Sequence, residues 1–209
     1  MPDIDIPRVL MFVFSFIVSV TIHEFSHAFA ADRLGDDLPR RQGRITINPL
    51  DHLTVWGTLV LVVTACFGFG FGWGKPVEIQ PDRFRHPRLG DAIVSLAGPI
   101  SNLVLAGVLA VVIRNQYCRL PMTSPYIELI DVAFQLNVVL FAFNLVPIPP
   151  LDGSHILTDI LPPPMADGYK SLMAMFGWVL FALFLWYGIY LIAPVVTHIE
   201  DVLVNACIL

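Results

Sequence analysis

From Val9 to Ala31 the chain reads VLMFVFSFIVSVTIHEFSHAFAA, an apolar run that carries two histidines and a glutamate near its end. A helix of that length rises about 34 Å, enough for a hydrocarbon core of about 30 Å. Ala28-Phe29-Ala30 imitates a leader-cleavage site. The preceding residues, MPDIDIPR, carry two acids and one arginine rather than a basic region, and His23, Glu24 and His27 are too polar for a leader core. The run is therefore expected to stay in place as a spanning helix.

The rest of the chain agrees with a membrane setting. It is 56% hydrophobic and 14% charged, against about 25% charged in ordinary soluble domains. That excess is too large for one soluble core, and the apolar runs are too long for barrel strands. A disordered chain, a nucleic-acid binder and a disulfide scaffold are excluded on the same grounds. The three cysteines, Cys66, Cys118 and Cys207, lack ligand spacing and read as free thiols.

Further helices are expected over 92–113, about 127–146 and about 171–193, with Pro194 ending or kinking the last. The tail 195–209 reads as a short interfacial helix. Between these lies Thr54 to Phe67, followed by FGFGFGWG, whose glycines Gly68, Gly70, Gly72 and Gly74 alternate with aromatics. A period of two suggests extended chain or a tight turn. The fold class is all-α: a polytopic integral membrane protein with about four full transmembrane helices and a re-entrant Gly-rich segment at 54–77.

His23-Glu24-Phe25-Ser26-His27 is H-E-x-x-H on a helix. Positions i and i+4 share a face, so two imidazoles reach one cation, and the glutamate can deprotonate a metal-activated water. A glutamate at the centre of a membrane helix costs about 2.5–3.5 kcal/mol on insertion scales, so three ionisable groups in five residues need a compensating reason. A catalytic zinc takes three protein ligands and an open position. Asp152, in Asn144-Leu-Val-Pro-Ile-Pro-Pro-Leu-Asp152-Gly153, is the candidate third ligand. Taken alone it equally suits the N-cap of a helix starting at Gly153.

H-E-x-x-H in a membrane helix together with N-x-x-P-x-P-x-L-D-G resembles the site-2 proteases, intramembrane zinc metalloproteases of the M50 class. Gly43-Arg44-Ile45-Thr46-Ile47-Asn48-Pro49, Phe71-Gly72-Trp73-Gly74-Lys75-Pro76-Val77 and Ala97-Gly98-Pro99-Ile100-Ser101-Asn102 extend the resemblance over roughly 15–185. It implies that His23, His27 and Asp152 bind one Zn²⁺ per chain, that Glu24 is the general base, and that Asn144 lies near the scissile carbonyl as an oxyanion donor. It assigns Gly98 and Pro99 to packing and shape. Transmembrane proteins in the bilayer are the implied substrates. The PDZ domain and CBS pair of larger relatives have no counterpart, which implies a minimal form: one membrane-embedded domain over 1–209, with a core of about 9–160 and an accessory helix at about 171–193. Position 155 is His where relatives often carry Arg; a polar side chain at a helix start is the reading adopted for it. His52 reads as a loop histidine without a metal role, and His86 and His198 as surface histidines. A transporter or scaffold using the His/Glu/Asp cluster for ion binding is the competing class, but it usually shows paired repeats, and none are found.

The metal site constrains topology. H-E-x-x-H lies toward the C-terminal end of its helix and Asp152 just beyond the end of helix 127–146. For them to meet, the two helices must run in the same direction, with an odd number of crossings between them. Helix 92–113 supplies one, so 54–73 is expected to enter and return or to make an incomplete span. Arg33, Arg40, Arg41, Arg44, Lys75, Arg83, Arg85 and Arg88, eight of the twelve basic residues, then share one side. By the positive-inside rule that side is cytoplasmic. This places both termini outside and the catalytic centre nearer the cytoplasm, in a bacterial or archaeal plasma membrane.

Overall fold

Asp5 opens the first helix by accepting the Arg8 amide, with a proline in the first turn where its missing N–H costs nothing. This helix, α1 (Ile6–Arg33), carries H-E-x-x-H. It is followed by a one-turn helix α2 (Leu38–Arg41), then α3 (Val55–Cys66), α4 (Pro87–Tyr117), α5 (Pro125–Asn144), α6 (Asp152–Ile160) and α7 (Pro163–Ala206). The computed structural model describes residues 4–117 and 124–206; Cys118 and Cys207 fall outside them, and among the described residues Cys66 has no disulfide partner. Helices α1, α4, α5 and α7 are long and apolar enough to cross a membrane. Leu10 and Phe14 on α1, and Trp178, Val179, Leu183 and Trp186 on α7, are exposed, as suits surfaces that face lipid rather than water.

The 54–77 segment does enter and return. Thr54 caps α3 through the Gly57 amide at 3.0 Å, and the helix has 12 residues. It rises about 18 Å, short of a full crossing. The chain turns through Gly68 and Gly70, both at positive φ, and comes back extended. Gly74 pairs antiparallel with Leu53, and the Lys75 amide donates to His52 O at 2.7 Å, so both ends of the excursion lie at one depth. Backbone at membrane depth must be satisfied within the protein; the Thr64 hydroxyl does this for Phe71, bonding its N–H and its carbonyl at 2.8 Å each.

The alternating glycines have a packing cause. A Cβ at Gly72 would lie 2.7 Å from Leu61 Cβ, and one at Gly74 would lie 2.7 Å from Val20 Cγ1. One face of the returning strand therefore lies flush on α3 and α1. Phe71 and Trp73, with ring centroids 6.0 Å apart, occupy the other face.

Helix α4 is the central element, packed against α1, α5 and α6. Ala106 and Ala110 of α4, Phe134, Val138 and Ala142 of α5, Leu151, and Phe184 of α7 form the main core. Phe16, Val20, Leu61 and Leu136 form a second cluster that fixes α3 to α1 and α5. Arg88 of α4 donates to the Thr158 and Leu161 carbonyls, closing the C-terminal end of α6.

Two expectations need correction. Asp152 does not cap a helix beginning at Gly153: the N-cap is Leu151, and Asp152 is the first helical residue, leaving its carboxylate free to point elsewhere. Of the two outcomes expected at Pro194, an end or a kink, the end does not occur: the helix runs through it. α7 is 44 residues long with Pro194 inside it, about 66 Å and well beyond one bilayer core. Beyond the proline, Val196, Ile199 and Leu203 still pack on the main core, and that burial outweighs one lost backbone hydrogen bond. No separate interfacial helix forms among the described residues of the tail.

Candidate active site

His23 and His27, one turn apart on α1, are both buried. Their Nε2 atoms lie 3.0 Å apart. Asp152, carried in by the broken chain after α5, places Oδ2 3.2 Å from His23 Nε2 and 3.5 Å from His27 Nε2. Two ligands about 2.0–2.1 Å from a tetrahedral zinc are roughly 3.3 Å from each other, so the three donors have the spacing that one such ion requires.

The protonation pattern points the same way. His27 Nδ1 is 2.7 Å from the Val94 carbonyl, which can only accept, so Nδ1 carries a proton and, in the neutral ring, Nε2 presents a lone pair. That lone pair faces Asp152 Oδ2, a buried oxygen with no hydrogen-bond partner. Converging acceptors repel one another until a cation sits between them, so these residues fit a zinc ion.

Gly98 makes the approach possible. The two imidazoles press against α4 where a Cβ on Gly98 would overlap His27 Nε2 and lie 2.6 Å from His27 Cε1 and 2.7 Å from His23 Cε1. Only a residue without a side chain lets α4 come this near.

Glu24 faces the same cavity, of about 680 Å³, as the three ligand candidates. Its Oε2 accepts the Val77 amide at 3.2 Å and lies 3.8 Å from Arg44 Nη2. The glutamate is thus held against the returning extended segment, in the cavity that the His–His–Asp cluster also lines. Arg44 is only 3% exposed. Its guanidinium donates to Asp51 O at 2.6 Å and to Lys75 O. Burial pushes that guanidinium below its ordinary range, while Glu24 and Asp51 pull it back up. Asn144 also lines the cavity, but its Nδ2 donates to Leu140 O within α5 at 3.0 Å; reaching a substrate oxygen requires that amide to turn.

His52 is fully buried, and its Nε2 donates to Thr46 O at 2.7 Å; it fastens its loop and is not among the clustered metal-binding candidates. His155 lines the cavity mouth with Nδ1 3.8 Å from Asp91 Oδ2, and Asp91 raises its pKa against the opposing effect of burial. His86 and His198 are exposed. No local spacing in the sequence assigns partners to Arg44, Asn102 or Asn137. An arginine in a loop looks solvated, but a carboxamide inside an apolar helix is itself a signal that a partner must be supplied.

Four helices long and apolar enough to span a membrane, around a cluster of two buried histidines and a half-buried aspartate with a glutamate lining the same cavity, define the class of polytopic membrane zinc metalloproteases. The model of Peptidase family M50 matches residues 11–119 and 120–184, and the chain belongs to that family. YwhC of Bacillus subtilis (strain 168), provisionally named a zinc metalloprotease, is 43% identical over 157 residues, covering 72% of this chain and 69% of YwhC. Rip2 of Mycolicibacterium smegmatis, provisionally named likewise, is 35% identical, covering 74% of this chain and 58% of Rip2. Rip2 of Mycobacterium tuberculosis (strain H37Rv) is 32% identical with the same coverages. The chain thus spans little more than half the length of the Rip2 proteins. No solved structure matches it.

Proposed function

We propose that this protein hydrolyses peptide bonds within or beside the transmembrane segments of other membrane proteins, with His23, His27 and Asp152 holding one zinc ion and Glu24 as the general base. The observation that carries this reading is the convergence of two imidazole nitrogens and an unpartnered carboxylate oxygen in a cavity that also admits Glu24. Zinc bound there lowers the pKa of water toward about 7 and polarises a carbonyl.

The chain's own residues do the rest. Glu24 takes the proton of the attacking water and returns it to the leaving amine. Asn144, once turned, donates its amide to the developing oxyanion. A peptide bond inside an intact helix is shielded, so the substrate must unwind locally. Segment 71–77 runs extended along the cavity wall, and an extended edge of this kind holds a peptide by strand addition. The cavity walls are mainly apolar, with Phe16, Phe143, Trp178 and Phe181 among them, as suits an unwound membrane segment. The clustering of basic residues in 32–91 supports a catalytic centre toward the cytoplasm.

The test is cleavage of candidate membrane substrates in reconstituted vesicles, with and without a chelator. Cleavage that stops with chelator and returns with zinc supports the reading. Cleavage indifferent to chelation contradicts it, and ion flux without cleavage supports the transporter class instead.

A further inference from the structure

On the side of His23 away from the cavity, polar groups from three helices meet in otherwise apolar surroundings. Asn102 of α4 and Asn137 of α5 are both 0% exposed, and Ser19 of α1 is 1% exposed. His23 Nδ1 lies 2.7 Å from Asn102 Oδ1. Asn102 Nδ2 donates to Asn137 Oδ1 at 2.9 Å and toward Ser19 O at 3.4 Å. Asn137 Nδ2 donates to the Ser19 hydroxyl and to Ala133 O, each at 2.8 Å. The Ser19 hydroxyl donates to Ser15 O at 2.7 Å.

The two ends of an amide group are nearly equivalent in shape, so only its partners decide which way it points. Here the partners include backbone carbonyls, which accept and never donate. Turning Asn137 over would set its oxygen against Ala133 O. Turning Asn102 over would set its oxygen against Ser19 O. With both amides fixed, Asn102 must present its oxygen to His23, and His23 must answer with a proton on Nδ1. Its Nε2 is then left as a lone pair aimed toward His27 and Asp152.

We infer that Asn102, oriented by Asn137 and Ser19, is a positioning residue that locks His23 in the Nδ1–H form and so presets its Nε2 for the metal. The inference deepens the proposed function, resting on the reading that His23 binds zinc. It also explains why carboxamides are carried inside two membrane helices. His27 receives the same service from a backbone carbonyl, which substitution cannot remove; for His23 the service depends on a side chain.

The test measures zinc affinity of the purified full chain by competition with a chromogenic chelator. Asn102→Leu fills similar space without an acceptor and should bind zinc about 10–100-fold more weakly. Asn102→Asp, protonated on its far oxygen, keeps an acceptor toward His23 and a donor toward Asn137, and should stay within roughly threefold of wild type. A Leu variant that matches wild type, or Asp and Leu variants that weaken equally, overturns the inference. A second reading uses the wild type alone and does not depend on variants folding: nitrogen-15 NMR of the His23 ring should show Nδ1 protonated, and an unprotonated Nδ1 overturns the inference. A wild type that binds no zinc sinks the metal reading instead, and the ring measurement still decides the relay.

Discussion

Replacing Gly98 of α4 with alanine should damage the metal site despite a gain in helix propensity. An alanine in a helix interior is worth about 0.5–1 kcal/mol over glycine. At this position, however, the new methyl would lie 2.6 Å from His27 Cε1 and 2.7 Å from His23 Cε1, besides overlapping His27 Nε2. Ordinary carbon contacts need about 3.5 Å, so the rings must retreat by about 1 Å. They are not free to do so, because Asn102 and Val94 hold them from behind at 2.7 Å each. Metal ligands tolerate displacements of about 0.2 Å, and a 1 Å misplacement costs about 10²-fold in rate. Overpacking adds about 1–3 kcal/mol of destabilisation, which more than offsets the gain in helix propensity. Gly107→Ala is the control: it lies on the same helix, with nothing within 4 Å of its added methyl. Zinc affinity, cleavage rate and thermal midpoint should be measured for both. Gly107→Ala should match or slightly exceed wild-type stability and keep its zinc; Gly98→Ala should lose zinc affinity at least tenfold. A Gly98→Ala protein with wild-type affinity and turnover would refute the packing argument.

Glu24→Gln should keep its zinc and lose cleavage; proteolysis that survives in this variant removes Glu24 as the base. Gly74→Val should force the returning strand off Val20, where even a Cβ would lie at 2.7 Å, and the measured effect should be a fall in cleavage with zinc retained. Burial and the neighbouring Asp91 carboxylate push Asp159 up to about 6. Between its ordinary 3.8 and that value the folded state holds the extra proton, so stability should fall as pH rises through the window. Asp159→Asn should flatten that slope in thermal midpoints taken across it, and parallel curves for the two proteins would contradict the assignment. Cysteines placed at 40 and 85 should be labelled from the same face of the membrane, and labelling from opposite faces would contradict the re-entrant segment.

The parts of this structure that could be read from the chain alone are those where chemistry conflicts with its surroundings. His23, Glu24 and His27 stand out because an apolar run has no use for them, and Asp152 because prolines break a helix just before it. The return of 54–77 followed from parity: ligands at the C-terminal ends of two spanning helices can meet only if the crossings between them are odd. What stayed hidden depends on contacts between distant residues. Pro194 looks like a stop, and only the packing of Val196 and Ile199 on the main core shows why the helix passes through it. The last span reads from about 171, yet α7 already begins at Pro163, where prolines suit the first turn. The partnership of His23, Asn102 and Asn137 joins three helices, and no local spacing announces it.

The central claim is that one zinc ion is held jointly by the two imidazoles of α1 and the carboxylate of Asp152. Elemental analysis of purified protein tests it directly, by counting zinc per chain in wild type and in Asp152→Ala. The account predicts one ion in the wild type and a loss of most of it in the variant. Equal zinc in both proteins, or none in the wild type, would contradict it.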